Sequence, residues 1–200
     1  GKSTAMNLFA CDRNPIVAAR SLPDKHICKM CIENAQMLAV AVGGLHGMDW
    51  GTIRKKDGSP YSQKAHFNHP STKWVRASLP NLAWTIQHGL ELCSEFEKRY
   101  GHHHASLTAH HDASCLFTEY SPLDLSCFRY VKHFARAMPA YIKHDMAIDD
   151  VQAYRKYLVI EKPWATWKIE TRKPTWWNIH DYADAVYHGI PRALQDGREV

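Results

Sequence analysis

Apolar residues recur every three or four positions through most of the 200-residue chain, and this is the pattern of amphipathic helices. The clearest case follows Pro23, where an apolar stripe is formed by Ile27, Met30, Cys31, Ala35, Leu38 and Val42. Two glycines at 43–44 are expected to end that helix. A second long helix is predicted from Pro80 to Gly101, because proline suits the first turn of a helix and glycine the position after the last.

Start and stop signals predict further helices at Asn14–Pro15, at Pro70, over 105–118, over 147–162 and near the end of the chain. No segment alternates apolar and polar residues over several positions, so no strand is predicted. The polar, glycine-containing stretch 43–65 predicts a long loop after the second helix. The fold class expected is therefore all-α, as a compact single domain.

One helical domain is predicted over 6–178, with a helical C-terminal extension over 179–200. Residues 1–5 are expected to be a tag remnant, with Met6 as the natural start. No signal peptide is expected, and no apolar run reaches the length of about 18 residues that a membrane span needs. The six cysteines are scattered, which is typical of reduced thiols in a cytoplasmic protein.

Charge and aromatic content favour an anionic partner without requiring one. The formal net charge is +5, and the chain carries 7 Trp, 9 Tyr and 6 Phe. Basic residues combined with aromatic rings suit a surface that binds phosphates and stacks bases. The alternative is that most of these rings belong to the hydrophobic core.

A polar stripe follows the second predicted helix, in the stretch PDKHICKMCIENAQML at 23–38. His26 and Glu33 are seven residues apart and lie on one face, with Lys29 between them and Gln36 continuing the line. Such a set can share protons, bind an anion or position a nucleophilic amine beside a general base. Alternatively, Lys29 and Glu33 are an ordinary surface ion pair.

A second polar cluster surrounds the helix start at Pro70. Free N–H groups at a helix start can bind a phosphate. The candidate ligands around that start are His66, Asn68, His69, Lys73, Trp74 and Arg76, with Asn81 close by in the next helix. The alternative is that His69 caps the helix and Trp74 belongs to the core.

Neither the Cys28-x-x-Cys31 pair nor the histidine-rich stretch 102–111 has the ligand spacing of a known metal motif. Packing is favoured for the cysteines, and no physiological metal and no cofactor are predicted. Glycine-rich phosphate loops and G-x-S-x-G are absent from the sequence, which disfavours nucleotide kinases, dinucleotide oxidoreductases and α/β-hydrolases.

Asp24, His26 and Glu33 resemble the Asp-x-His…Glu helix of the bacteriophage pyrimidine-dimer DNA glycosylase/AP lyase, endonuclease V. The stretches 138–145 (MPAYIKHD) and 172–177 (RKPTWW) are similar to two further segments of that family. A closer resemblance is to uncharacterised phage-type proteins that begin Met-Asn-Ile/Leu-Phe. They share an Asp-Lys-His…Glu helix and a His-x-Asn-His-Pro…Trp-x-Arg block.

The resemblance implies an all-α fold that grips duplex DNA and flips a nucleotide. An amine then attacks C1′ and forms a Schiff base, and a glutamate assists. Carried over by position, Glu33 is that acid/base residue, and His26 supports it or touches phosphate.

The chain departs from the family pattern at the nucleophile. The family uses the α-amine of a threonine freed by removal of Met, but here Asn7 follows Met6, and Met before Asn is usually retained. Ile32 and Gln36 stand where the family has arginines. Two interpretations are open: Lys25 or Lys29 replaces the amine, or the fold carries out a different base chemistry.

The expected function is a DNA-acting enzyme that flips a nucleotide and acts on a damaged or modified pyrimidine, as a glycosylase/lyase or as a base-modifying transferase. The alternatives are a non-catalytic phage DNA-binding accessory protein and a metal-dependent hydrolase. The partner expected is duplex DNA, bound by a monomer in the cytoplasm of a bacterial or phage-infected cell. Expected catalytic residues are Lys25, His26, Lys29 and Glu33; expected binding residues are Asp24, Gln36, His66, Asn68, His69, Trp74, Arg76 and Asn81.

Overall fold

The computed structural model describes residues 6–44 and 49–177. Within these ranges the chain forms helices and no strand, apart from one isolated bridge between Arg54 and Pro60. The α-helices are α1 (Pro15–Ser21), α2 (Asp24–Gly44), α3 (Pro70–Arg76), α4 (Leu79–Tyr100), α5 (Leu107–Tyr120), α6 (Ala140–Lys143) and α7 (Asp150–Glu161). Two 3-10 helices span Leu125–Tyr130 and Glu170–Arg172. The predicted all-α, single-domain fold is confirmed.

The helix starts follow from local capping chemistry. The Asn14 side chain accepts hydrogen bonds from the first turn of α1, and Ser78 does the same for α4. Asp149 and Gln152 form a reciprocal capping box at α7. Gly101 has φ +77 after the last residue of α4, a conformation that glycine adopts without steric penalty. These caps explain why the start and stop signals predicted the helices well.

The core lies where α2 and α4 pack together, with α1, α3 and α5 against them. Trp84 of α4 is fully buried there. Gly89 of α4 lets three helices meet, because a Cβ at this position would overlap the side chains of Asn34 on α2 and His110 on α5.

The predicted long loop after α2 is present and partly anchored. Trp50 and Ile53 are buried, and the Trp50 backbone N–H donates to the Val42 carbonyl at 3.0 Å. The C-terminal extension predicted over 179–200 and the tag remnant predicted over 1–5 lie outside the described residues. No helix among the described residues has the length and apolar character needed to cross a membrane.

The segment before α1 is buried, although no helical pattern marks it. The Asn7 side-chain carbonyl accepts from the backbone N–H groups of Leu8 and Phe9, and its amide donates to the Ala137 carbonyl at 2.8 Å. Phe9 has φ +48, a backbone conformation that is uncommon for a large side chain and often occurs at functional sites. The Asn7 bonds hold this segment in place, and the Phe9 ring meets the His26 ring of α2 edge-on at a centroid distance of 4.6 Å.

Candidate active site

A cavity of about 320 Å³ lies between the buried N-terminal segment, the polar face of α2, and the end of α7 with the turn that follows it. Its lining combines one carboxyl group, three lysines, one histidine and three other aromatic rings. These residues are Asn7, Phe9, Lys25, His26, Lys29, Glu33, Tyr157, Lys162 and Trp164. All four expected catalytic residues therefore line the same cavity.

Glu33 is buried, and neither of its carboxyl oxygens has a hydrogen-bond partner within residues 6–44 and 49–177. Lys29 is its closest cation, with Nζ 3.6 Å from Oε2. Burial raises the pKa of Glu33 to about 7, and this effect outweighs the opposing influence of Lys29 and of the Asn7 backbone N–H that faces the carboxyl. A carboxyl group with such a pKa can both donate and accept a proton near neutral pH.

His26 forms part of the aromatic wall and stays neutral. Its ring stacks on Trp164 with a centroid distance of 5.7 Å and meets the edge of Phe9 at 4.6 Å. Burial, followed by the charges of Lys162 and Lys29, lowers the pKa of His26 to about 3. The geometry therefore suits packing and orientation by a neutral ring rather than attraction of a phosphate by a cation.

Three amines reach the cavity in different surroundings. Lys25 Nζ lies 4.8 Å from the centre of the Trp164 ring, and the largely exposed Lys29 pairs with Glu33. Lys162 lies just after α7, and its Nζ is 5.3 Å from the centre of the Tyr157 ring. Burial, followed by the charge of Lys29, lowers the pKa of Lys162.

A second cavity, of about 410 Å³, shares Asn7 and Tyr157 with the first. His69, Arg136 and Lys143 bring basic groups to its lining. The His69 ring also accepts a hydrogen bond from the Ser71 backbone N–H at 3.0 Å, so the interpretation of His69 as the cap of α3 is confirmed. The same residue thus caps a helix and faces a basic cavity.

A family model described as pyrimidine dimer DNA glycosylase matches residues 6–108, about half of the chain. The chain belongs to the pyrimidine dimer DNA glycosylase family. Membership confirms the resemblance to endonuclease V and implies, at the level of the family, a DNA glycosylase that acts on DNA. A search of curated proteins and a search of solved structures each gave no match.

The match to the pyrimidine dimer DNA glycosylase family covers only one side of the cavity. Asn7, His26 and Glu33 lie inside the matched residues, whereas Lys162 and Trp164 lie beyond them. Sequence reasoning missed Lys162, Trp164 and the ring of Tyr157. The only local signal was the basic-aromatic run EKPW at the end of the predicted helix, which does not reveal that the chain returns to α2.

Asp24 and Gln36 lie outside this cavity. The Asp24 carboxylate accepts hydrogen bonds from Arg99 Nη1 at 3.1 Å and from the Lys168 backbone N–H at 3.0 Å. Gln36 lines a separate cavity of about 560 Å³ together with the loop after α2. The predicted residues of α2 thus lie in three environments: Asp24 among hydrogen bonds, the four expected catalytic residues in the first cavity, and Gln36 in a separate cavity.

Among the predicted residues around Pro70, Trp74 and Asn81 make structural contacts. Trp74 packs on Phe134 with a ring-centroid distance of 5.2 Å, and its Nε1–H donates to the His133 carbonyl. The Asn81 amide donates to the Trp74 carbonyl at 2.8 Å. Arg76 lies over the ring of Phe67, Asn68 is exposed, and His66 has φ +54. The interpretation of Trp74 as a packing residue is thus supported by its contacts.

The cysteines and histidines considered as possible metal ligands do not cluster in the described part of the chain. His110 is buried and its ring bonds to the Cys31 carbonyl, while His103 pairs with Glu97 at the surface. Cys28 and Cys31 are free thiols. Among residues 6–44 and 49–177, no group of three or more possible ligands could hold a metal ion.

Proposed function

We propose that this protein is a DNA glycosylase that draws a damaged or modified pyrimidine nucleotide out of duplex DNA and releases its base in the cavity around Glu33. The observation that carries the proposal is a buried carboxyl group that forms no hydrogen bond in the described part of the chain and lies next to lysine amines. Buried titratable groups with shifted pKa values that share a cleft are typical of catalytic sites.

The cavity has the size and the walls that a flipped nucleotide needs. Its volume of about 320 Å³ is at the lower end of the range of about 300–1,000 Å³ typical of ligand sites. Trp164 offers an aromatic face at one side, and Tyr157, stacked on Phe9 at 5.7 Å, offers another. Bases that leave the DNA stack are commonly held by stacking on such rings.

The chemistry follows from the two protonation states of Glu33. The neutral carboxyl group donates its proton to the leaving base while an amine attacks C1′. The bond between C1′ and the base breaks, and its electron pair leaves with the base. The amine then loses a proton, and expulsion of the ring oxygen, which is protonated, leaves an iminium at C1′. Ionised Glu33 next removes a proton from C2′, so that the 3′ phosphate leaves with the electrons of its C–O bond.

The second cavity is suited to the adjoining DNA backbone. It shares Asn7 and Tyr157 with the first cavity, and Lys143 brings a cation to its lining. A phosphate held there would keep the flipped nucleotide in register, because phosphate contacts position a protein on DNA. Binding of this kind weakens as salt concentration rises.

Nucleoside mass spectrometry tests the proposal. The full chain is incubated with duplexes that carry normal, dimerised or hydroxymethylated pyrimidines, and the products are compared with those of Glu33→Gln. Glu119→Gln, which changes an exposed carboxylate on α5, is the matched control. We expect wild type and Glu119→Gln to release one base from one of the duplexes, and Glu33→Gln to release none.

Two other outcomes would replace the proposal. A mass-shifted nucleoside that depends on Glu33 would indicate a base-modifying transferase. Salt-sensitive DNA binding without any change in any duplex would indicate a non-catalytic DNA-binding protein.

A further inference from the structure

We infer that Lys162 is the amine that joins covalently to C1′ of the flipped nucleotide. The inference rests on the proposed glycosylase function and names its nucleophile. It draws on a residue beyond the part of the chain that matches the family, in the turn that closes the cavity after α7.

Asn7 does not provide a free amine in this chain. Its backbone nitrogen faces Glu33, but it is bonded to Met6 in a peptide bond. Met6 is 2% exposed and belongs to the hydrophobic core. An amide nitrogen is not a nucleophile under these conditions, so an amine that attacks C1′ here has to come from a side chain.

Lys29 and Lys25 are both exposed to solvent, whereas Lys162 is half-buried. Lys29 Nζ lies 3.6 Å from the Glu33 carboxyl, and its side chain is 65% exposed. Ring contacts do not separate Lys25 from Lys162, because Lys25 Nζ lies 4.8 Å from the centre of the Trp164 ring and Lys162 Nζ lies 5.3 Å from that of Tyr157. Burial therefore distinguishes Lys162 from the other two lysines of the cavity.

Lys162 is the lysine whose surroundings favour the free amine. Among the described residues, no carboxylate oxygen lies within 4.0 Å of its Nζ. Partial burial and the nearby charge of Lys29 both lower its pKa, and desolvation of this kind activates lysine nucleophiles. Its backbone N–H donates to the Leu158 carbonyl at 3.0 Å, and Pro163 follows, so the residue is fixed at a helix end.

The adduct can be trapped on DNA with an abasic site. The Lys162 nitrogen attacks the aldehyde carbon C1′ and forms a C–N bond. The former carbonyl oxygen leaves as water after it takes up two protons, one of them from the amine, and an iminium remains. Borohydride then delivers hydride to C1′ and converts the iminium into a stable secondary amine.

The experiment treats the full chain and abasic duplex with borohydride and maps the adduct by peptide mass spectrometry. We expect the adduct on Lys162 and its loss in Lys162→Arg, with unchanged thermal melting. Lys98→Arg, which alters an exposed lysine near the end of α4, is the matched control and should keep the adduct.

An adduct on Lys25, Lys29 or any other amine overturns the inference and leaves the glycosylase proposal intact. Base release without any trapped adduct also overturns it, because water would then be the nucleophile. If neither adduct nor base release occurs on any duplex, the proposed function itself fails, and the inference fails with it.

Discussion

Two carboxyl groups on α2, Asp24 and Glu33, are buried to the same degree, each with 7% exposure, yet their surroundings are opposite. Asp24 accepts hydrogen bonds from Arg99, the Lys168 backbone and Thr166. Among the described residues, neither Glu33 oxygen has a hydrogen-bond partner of good geometry; the Asn7 backbone N–H faces the carboxyl group, and Lys29 lies at 3.6 Å.

Asp24, the first residue of α2, belongs to a connected network of ion pairs. Fully buried Arg99 bonds to Asp24 and also to Glu95 at 3.0 Å, and Arg172 reaches the same Glu95 oxygen at 3.0 Å. Such bonds offset the desolvation of the charges. This network also holds the turn after α7, because the Asp24 backbone N–H donates to the Thr166 carbonyl at 2.8 Å.

Burial therefore does not identify a functional carboxyl group by itself. At Asp24 the carboxyl group accepts hydrogen bonds from three partners and anchors structure. At Glu33 the ionised form lacks such bonds, and the pKa rises to about 7. An unfavourable environment that the fold retains is what the proposed catalytic role of Glu33 leads us to expect.

The largest expected effect on stability is at Asp24. Asp24→Ala removes a charged partner of the buried Arg99. Loss of one partner of a buried ion pair typically lowers stability by about 3–5 kcal/mol. Asp12→Ala, which breaks a partly exposed pair with Arg155, should cost less than about 1 kcal/mol. Urea unfolding of both variants checks this difference. Similar losses in the two variants would show that the Asp24 network is not stabilising.

Glu33→Gln, in contrast, should raise the free energy of unfolding at pH 8. Because the folded pKa of about 7 lies above the ordinary value of 4.5, the folded protein holds a proton that the unfolded chain releases, and stability falls as pH rises from 4.5 to 7. The variant removes this loss and should be more stable at pH 8, on the order of 2 kcal/mol. Urea unfolding of wild type and Glu33→Gln at pH 4.5 and pH 8 tests this prediction. An equal difference in unfolding free energy between the two proteins at both pH values would contradict the shifted pKa.

A smaller effect is expected at His26. Its folded pKa of about 3 lies below the ordinary 6.5, so its contribution to stability is present above pH 6.5 and is lost as pH falls. His88, whose pKa burial lowers to about 4, titrates in the same window. His26→Phe should therefore reduce the loss between pH 6.5 and 5 by about 1 kcal/mol without abolishing it. Melting curves that overlay wild type at every pH would rule this out.

Trp164→Ala should give the smallest change. Trp164 is 46% exposed, so folding should change little. Loss of a stacking face should weaken binding to a damaged duplex by about 1 kcal/mol. Affinity for an undamaged duplex, where no nucleotide leaves the stack, is the internal control. Equal weakening on both duplexes would place Trp164 in general DNA contact instead.

The sequence predicted the helices and one wall of the cavity well, because both depend on neighbours along the chain. Helix spacing placed His26, Lys29 and Glu33 on one face, and caps such as Asn14 marked the boundaries. The opposite wall was not predictable, because Lys162 and Trp164 reach α2 through contacts between residues more than 120 positions apart. The same limit hid the difference between Asp24 and Glu33, since Arg99 meets Asp24 only in the folded chain.

The most direct test of the account measures single-turnover base release by Glu33→Gln beside its unfolding free energy at pH 8. We predict that release from the duplex that wild type cleaves falls by at least about 100-fold, the usual range for loss of a general acid, while stability does not fall. Release within a few-fold of wild type would contradict the assignment of Glu33 as the proton donor. A loss of release accompanied by a loss of stability would make Glu33 a structural residue like Asp24.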